Sequence, residues 1–326
     1  MLANKYRPRK FEDVVGQSVA TVTLQNQLNN GTVRNSYLFI GSAGTGKTTV
    51  ARIFAHELNA EVIEIDAASN SGVDNVRNIK DNALLLSIGN DYKVFIIDEC
   101  HALSNAGWQA FLKILEDCPS KVCFIFCTTN PEKIPRTILS RSQSFIFTSI
   151  PDDLVYKRLS DVCEAEGITY DKNGDALLDI VHEANGCMRE ALVLLEKCVD
   201  YAGSYIDTNV TGLVLNRISN DSFYWLTTRL FYGEINHIYD YMTVIKQKAV
   251  VNWVKFLDDY IKYLMQVALH IDDFFVEGER YLTVYDVVGL IDCVLHTKEL
   301  IRYSASPFMD IVASFIVFAN AVREDK

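Results

Sequence analysis

The segment Gly41-Ser42-Ala43-Gly44-Thr45-Gly46-Lys47-Thr48 fills the pattern G-x-x-x-x-G-K-[ST] without a gap. Its chemistry is phosphate binding. Glycines let successive backbone N–H groups turn inward onto phosphate oxygens, and the N-terminus of a following helix adds its positive end. In such a loop Lys47 reaches the β- and γ-phosphates, the Thr48 hydroxyl ligates Mg²⁺, and Thr49 continues the nucleotide-binding run. A second segment, Lys93-Val94-Phe95-Ile96-Ile97-Asp98-Glu99, runs apolar into a pair of carboxylates. At the C-terminal edge of a central strand Asp98 can hold the Mg²⁺ through water, and Glu99 can polarise an attacking water. Many strands end in acidic turns, so this segment is weak evidence alone. Paired with the phosphate loop upstream, it points to hydrolysis of a nucleoside triphosphate, with ATP and Mg²⁺ expected.

These residues need a strand, a loop and a helix in that order, and the flanking sequence supplies them. Tyr37-Leu38-Phe39-Ile40 reads as a buried strand and Val50 to Leu58 as a helix, which argues against a glycine-rich surface turn. Further strands are predicted at Val62–Ile65, Lys93–Ile97, Val122–Cys127 and Ser144–Phe147, with helices between them. That alternation implies an α/β fold around a doubly wound parallel sheet. After Pro151 the strand signals stop. Helices are predicted at Asp152–Ala165, Asp171–Ala184 and Met188–Tyr201, broken by Gly167 and Gly186. From about Ser219 the texture shifts to longer, aromatic-rich helices. In one of them Val251, Val254, Leu257, Ile261, Leu264 and Ala268 recur at spacings of three and four. The last helix is apolar on more than one face, as contact on two sides requires.

At 326 residues the chain exceeds one ordinary domain. We expect an ATPase domain over 1–150, a helical lid over 151–207 and an all-α domain over 208–326. No stretch reaches the roughly 20 apolar residues a membrane span needs, and Met1-Leu2-Ala3-Asn4-Lys5 lacks the apolar core of a signal peptide. The eight cysteines include no C-x-x-C pair, and Cys123 and Cys127 share one face of an apolar strand, where core packing is expected. Free thiols suit a reducing cytoplasm, bacterial or that of a phage-infected host. The net charge of −11 is uneven: residues 1–150 hold 15 Lys and Arg against 14 Asp and Glu, and residues 151–326 hold 16 against 28. Any nucleic acid must therefore meet locally placed cations in the front half.

The opening run Lys5-Tyr6-Arg7-Pro8-Arg9-Lys10-Phe11-Glu12-Asp13-Val14-Val15-Gly16-Gln17 resembles that of AAA+ clamp-loader ATPases. Ile65-Asp66-Ala67-Ala68-Ser69-Asn70, the run Gly107 to Pro119, Cys127-Thr128-Thr129-Asn130-Pro131 and Ile138-Leu139-Ser140-Arg141-Ser142 are similar to the bacterial polymerase III gamma/tau family. The likeness is dense over residues 4–200 and thin beyond. It implies roles: Tyr6, Arg7, Pro8 and Val15 packing around adenine, Thr129 as the first sensor, Arg189 as the second, and Arg141 as an arginine finger entering a neighbouring subunit's site. A guanidinium on developing phosphate charge can supply a factor of roughly 10³ to 10⁵. Arg77 and Lys113 match positions that contact the duplex backbone, which needs only exposed cations facing one channel; solvated helix charges are the alternative.

The sequence departs from that family in two places. Asn59-Ala60-Glu61 closes the gap where members carry a four-cysteine zinc module, so no zinc site is expected. Ser142 stands where cysteine usually follows the finger. The resemblance also implies a short form without the tau tail that recruits helicase and polymerase, as in a phage or reduced replisome. The expectation is an ATP-driven motor subunit in a ring with other clamp-loader subunits, which opens a sliding clamp and loads it onto primer-template DNA. The alternatives are a non-hydrolysing structural subunit of such a ring, and an AAA+ remodelling or branch-migration motor, which would carry a winged-helix domain at its end.

Overall fold

The computed structural model describes every residue except 70–72, 85–89, 216, 217, 219, 233, 234, 249–251, 271–281, 325 and 326. It forms two compact units, Met1–Val210 and Thr211–Lys326. In the first, apolar runs become five parallel strands: β1 (Ser36–Gly41), β2 (Ala60–Asp66), β3 (Tyr92–Asp98), β4 (Val122–Thr128) and β5 (Gln143–Phe147). Their order across the sheet is β2-β3-β4-β1-β5. The carboxyl ends of β1, β3 and β4, which carry Gly41, Asp98 and Thr128, therefore lie side by side.

Both faces of the sheet are covered, so the central strands are apolar on both sides. On one face Tyr37, Phe39, Val94, Ile96, Cys123 and Ile125 pack with Leu24 of α2 (Ser18–Asn29) and Val50 and Phe54 of α3 (Lys47–Glu57). On the other, Leu38, Phe95, Ile97, Phe124 and Phe126 meet Val76 and Ile79 of α4 (Val73–Leu84) and Trp108, Phe111 and Ile114 of α5 (Asn105–Glu116). Alternate residues of one strand thus serve opposite cores. Cys123 and Cys127 are fully buried, and burial pushes both thiols well above their ordinary range.

The helix after the phosphate loop starts at Lys47, three residues earlier than expected, because Gly46 turns left-handed (φ 107°) and its carbonyl accepts from Val50 N–H. α3 and β2 are joined by Leu58-Asn59 alone. Past α6 (Arg136–Leu139) come α7 (Asp152–Glu166), α8 (Asp175–Ala184) and α9 (Met188–Ala202). Two expectations need correction here. α8 begins at Asp175, because the Asp171 carboxylate accepts from the N–H groups of Asp175 and Ala176, both at 2.9 Å, and holds the preceding turn outside the helix. Strand structure also does not end at Pro151: Thr169–Tyr170 (β6) and Tyr205–Ile206 (β7) form a short parallel ladder that ties α7 to the end of α9.

The second unit is helical among its described residues: α11 (Asn220–Tyr232), α12 (Ile235–Lys248), α13 (Trp253–Leu269), α14 (Val284–Ile301) and α15 (Pro307–Glu324), after α10 (Thr208–Val214), which spans the division. Leu257, Ile261 and Leu264 of α13 pack in one core with Leu226, Val294 and Phe315. Val251, the first residue of the expected stripe, lies outside the described residues. α15 buries Ile311, Val312 and Phe315 and leaves Met309 and Val317 exposed, so it has apolar residues on a second face.

Candidate nucleotide site

The turn between β1 and α3 is shaped by its glycines and closed by its lysine. Gly46 needs its left-handed φ to start the helix. Gly44 (φ 71°) packs so closely beneath the start of α9 that an added Cβ would lie 2.1 Å from Cys187 Sγ. The Lys47 ammonium is buried, donating to the carbonyls of Gly41 at 2.8 Å and Ser42 at 2.9 Å. Those contacts hold a fixed cation at the mouth of a helix N-terminus. Beside it the Thr48 hydroxyl donates to Asp98 Oδ2 at 2.8 Å, across from β1–α3 to the tip of β3. A hydroxyl and a carboxylate paired next to a phosphate loop are the hard oxygen donors that suit Mg²⁺.

The residue after Asp98 is conformationally unusual. Glu99 has φ 47° and ψ 41°, a left-handed backbone that costs a side-chain-bearing residue about 1–2 kcal/mol. Its N–H donates to Asp98 Oδ1 at 3.0 Å, which helps to hold the turn. The Glu99 carboxylate then meets the tip of β4, where Thr129 Oγ1 lies 3.4 Å from Oε2 and donates to Asn130 Oδ1 at 2.9 Å. The two expected groups, the water-activating glutamate and the sensor, are thus brought together by adjacent strand ends.

One cavity of about 230 Å³ opens over Lys47, Thr48, Asp98 and Glu99, and Thr129 stands behind Glu99 without lining it. It is lined by Ala43 to Thr49, Asp98 and Glu99, by Tyr6, Arg7, Pro8 and Val15 from the opening segment, and by Arg189 from α9. Gly41 and Ser42 do not line it and act through Lys47. The apolar side adds Val14, Ile150, Met188 and Leu192, which sequence reasoning did not single out. Such a wall beside phosphate-binding groups fits a purine base. Arg7 donates from Nε to Thr49 Oγ1 at 3.1 Å, and burial, followed by the charge of Arg52, lowers its affinity for a proton, with Arg189 adding to the effect.

Sequence reasoning also missed Gln17 and Arg158. The buried Gln17 amide donates to the carbonyls of Thr45 at 3.2 Å and Thr148 at 2.8 Å, pinning the phosphate loop to the chain leaving β5. Arg158 of α7 lines the cavity, donates to the Tyr6 carbonyl at 3.3 Å and sits 5.9 Å from the Tyr6 ring centre. Tyr6 in turn donates its hydroxyl to Glu166 at the end of α7. Gln17 closes the opening run that carries the resemblance but had no role of its own there, and nothing local marked Arg158.

Three predicted residues lie elsewhere. Arg141 does not line the cavity of its own chain; its exposed guanidinium donates to Glu116 Oε1 at 3.0 Å and the Thr137 carbonyl at 3.2 Å. Ser142 beside it shares a hydrogen bond of 2.6 Å with Ser36, so the serine in place of cysteine has a definite packing partner. Lys113 is exposed on α5. Arg77 belongs to α4, and its side chain lies outside the described residues.

Residues 37–150 match the AAA family, described as ATPase family associated with various cellular activities. The chain is 35% identical over 340 residues to DNA polymerase III subunit tau of Bacillus subtilis, covering 93% of this chain and 60% of that relative. It is 37% identical over 227 residues to DNA polymerase III subunit gamma/tau of Mycoplasma pneumoniae, covering 63% of this chain and 33% of the relative. The corresponding protein of Mycobacterium tuberculosis is 37% identical over 237 residues, covering 64% and 40%. The chain therefore spans about a third to three fifths of the length of these relatives. Among solved structures, the RuvB Holliday junction branch migration motor of Thermotoga maritima aligns with a TM-score of 0.55 at 20% identity, over 65% of this chain and 72% of that one. That likeness shows a shared fold. The AAA match covers residues 37–150, and the sequence likeness that runs on through most of the chain makes it similar to gamma/tau subunits of DNA polymerase III.

Proposed function

We propose that this chain is an ATP-hydrolysing motor subunit of a clamp loader, which works in a ring with other clamp-loader subunits to open a sliding clamp and load it onto primer-template DNA. The observation that carries the reading is the convergence on one cavity of the Lys47 ammonium, the Thr48–Asp98 pair, the Glu99 carboxylate and Arg189 of the lid. The gamma/tau likeness supplies the biological setting. Mg²⁺, when bound, would neutralise charge on the phosphate oxygens, and Thr48 and Asp98 would hold it. Lys47 binds the β- and γ-phosphates, and Glu99 orients the attacking water with Thr129 beside it. Tyr6, Arg7, Pro8 and Val15 seat the base. Arg189 senses the nucleotide from a lid over 151–207, and Arg141 acts on a neighbour held through a helical region over 208–326. Its absence from its own cavity supports that assignment. Arg77 and Lys113 would contact the DNA backbone.

The runner-up readings predict different behaviour. A structural subunit would not turn over ATP, although it would lack any reason to keep Lys47 and Glu99 in register. A branch-migration motor would be stimulated by DNA without a clamp. The deciding measurement is ATP turnover by the assembled complex, with and without primer-template DNA and clamp. We expect DNA and clamp together to raise the rate, with an apparent DNA affinity that falls as salt rises because phosphate contacts release counterions. A rate indifferent to both would overturn the clamp-loader reading.

A further inference from the structure

The imidazole of His101 lies on the turn directly after Glu99, over the tips of two strands. Its Nδ1 is 3.3 Å from Glu99 Oε2 and 3.2 Å from Thr128 Oγ1. Thr128 Oγ1 also accepts the backbone N–H of Asn130 at 3.0 Å. The ring therefore links the end of β3 to the end of β4, on the same edge that carries Thr129. No role for this histidine is set by the phosphate-loop motif or by any site residue assigned above.

We propose that His101 is a positioning residue for Glu99, an inference that rests on the reading of Glu99 as the group that orients water. His101 Nδ1 makes its hydrogen bond with Thr128 Oγ1 and lies 3.3 Å from Glu99 Oε2, and Thr129 Oγ1 lies 3.4 Å from the same oxygen. Together the two groups crowd Oε2 from the tips of β3 and β4; among the described residues Oε1 makes no hydrogen bond. The left-handed backbone of Glu99 narrows the side chain's choices further, and such strain persists only where the surroundings over-determine it. Apart from Glu99 and neighbouring Asp98, the charged group facing the ring is Glu132, on the turn after β4. Its carboxyl is held below the ordinary range first by Asn130 and in part by the charge of His101.

The test separates the donor position from the bulk of the ring. An asparagine amide can occupy the place of Nδ1, whereas a glutamine amide reaches the place of Nε2 and leaves the first position empty. Full-length His101→Ala, His101→Asn and His101→Gln proteins are assembled into the complex, and ATP turnover and binding of a fluorescent ATP analogue are measured. We expect kcat to fall roughly 10- to 100-fold in the Ala and Gln variants, the range for loss of orientation at a reacting group, with analogue affinity unchanged. His101→Asn should retain most of the rate. The Asn–Gln contrast carries the test even if the Ala variant does not fold. In a Glu99→Gln background, His101→Gln should cost nothing further, because it acts through that carboxylate. Equal rates for Asn and Gln, a loss of analogue affinity matching the loss of rate, or a full additional loss on top of Glu99→Gln would overturn the proposal. If Glu99→Gln alone left turnover intact, the assignment of Glu99 would fail instead.

Discussion

Replacing Gly44 with alanine drives a methyl group between the phosphate loop and the start of α9. The new Cβ would lie 2.1 Å from Cys187 Sγ and 3.3 Å from Arg189 Cβ, at a backbone φ of +71°. Ordinary non-bonded contacts lie at about 3.5–4 Å, so the sulfur, or the start of α9 that carries it, must move by more than an ångström. The left-handed backbone costs about 1–2 kcal/mol for alanine, and overpacking adds about 1–3 kcal/mol. A total of about 2–5 kcal/mol corresponds, at about 2–4 °C per kcal/mol in a unit of this size, to a Tm lowered by roughly 4–20 °C. If α9 lifts instead of the unit unfolding, the same energy is expected as weakened ATP binding, about tenfold for each 1.4 kcal/mol. The cause can be split experimentally. Cys187→Ala removes the sulfur while leaving Cys187's Cβ position, 3.5 Å from the new methyl, in ordinary contact. It also removes a weak thiol cap, which accepts from Glu190 N–H at 3.4 Å, at small cost. The double variant should therefore recover the overpacking share, about 1–3 kcal/mol, and keep the backbone share. Thermal unfolding and ATP-analogue titration of the four proteins measure this directly. Strict additivity of the two substitutions would refute the steric account, since non-interacting sites add and colliding ones do not.

The remaining predictions address the site roles. Lys47→Ala should weaken ATP binding by roughly 100-fold or more, whereas Glu99→Gln should bind normally and lose a comparable factor in turnover; equal loss of binding in both, by analogue titration, would refute the division of labour. Mixed rings of Arg141→Ala and Lys47→Ala subunits should regain part of the ATPase activity that neither has alone, because the second lends its arginine to a working phosphate loop of the first. Dead mixtures in demonstrably mixed rings would exclude Arg141 as a finger in trans. Glu166 is held below its ordinary carboxyl value of 4.5 by hydrogen bonds from Lys5 and then Tyr6. Its contribution to stability is therefore present above that value and is lost as pH falls through the folded-state value. Glu166→Gln should flatten the acid limb of a denaturation series without changing stability's pH dependence near neutrality, and an unchanged acid limb would show that the opening segment is not tethered to α7 by this charge.

Much of this protein is legible in the linear sequence because the relevant physics is local. A G-x-x-x-x-G-K-[ST] segment carries its own backbone freedom, cation and hydroxyl within eight consecutive residues, so Lys47 and Thr48 could be singled out as candidates from the sequence alone. The three central strands likewise follow from contiguous apolar runs, since a parallel strand covered on both faces must be apolar throughout, whereas the edge strands β2 and β5 carry polar residues at intervals. The order β3-β4-β1 across the sheet and the register of its pairs were not legible, and they bring Asp98 to Thr48 and Glu99 to Thr129. The walls of the cavity were hidden for the same reason. Gln17 bridges to Thr148 and Arg158 reaches Tyr6 across more than a hundred residues of chain, where no periodicity couples the partners. Nor could the sequence reveal that Glu99 adopts a left-handed backbone, because glutamate has no preference for it; the hydrogen bond to Asp98 and the crowded strand ends impose it. Residue types and spacing determined which chemical groups this chain brings to a phosphate, and the packing of distant segments decided where each group points.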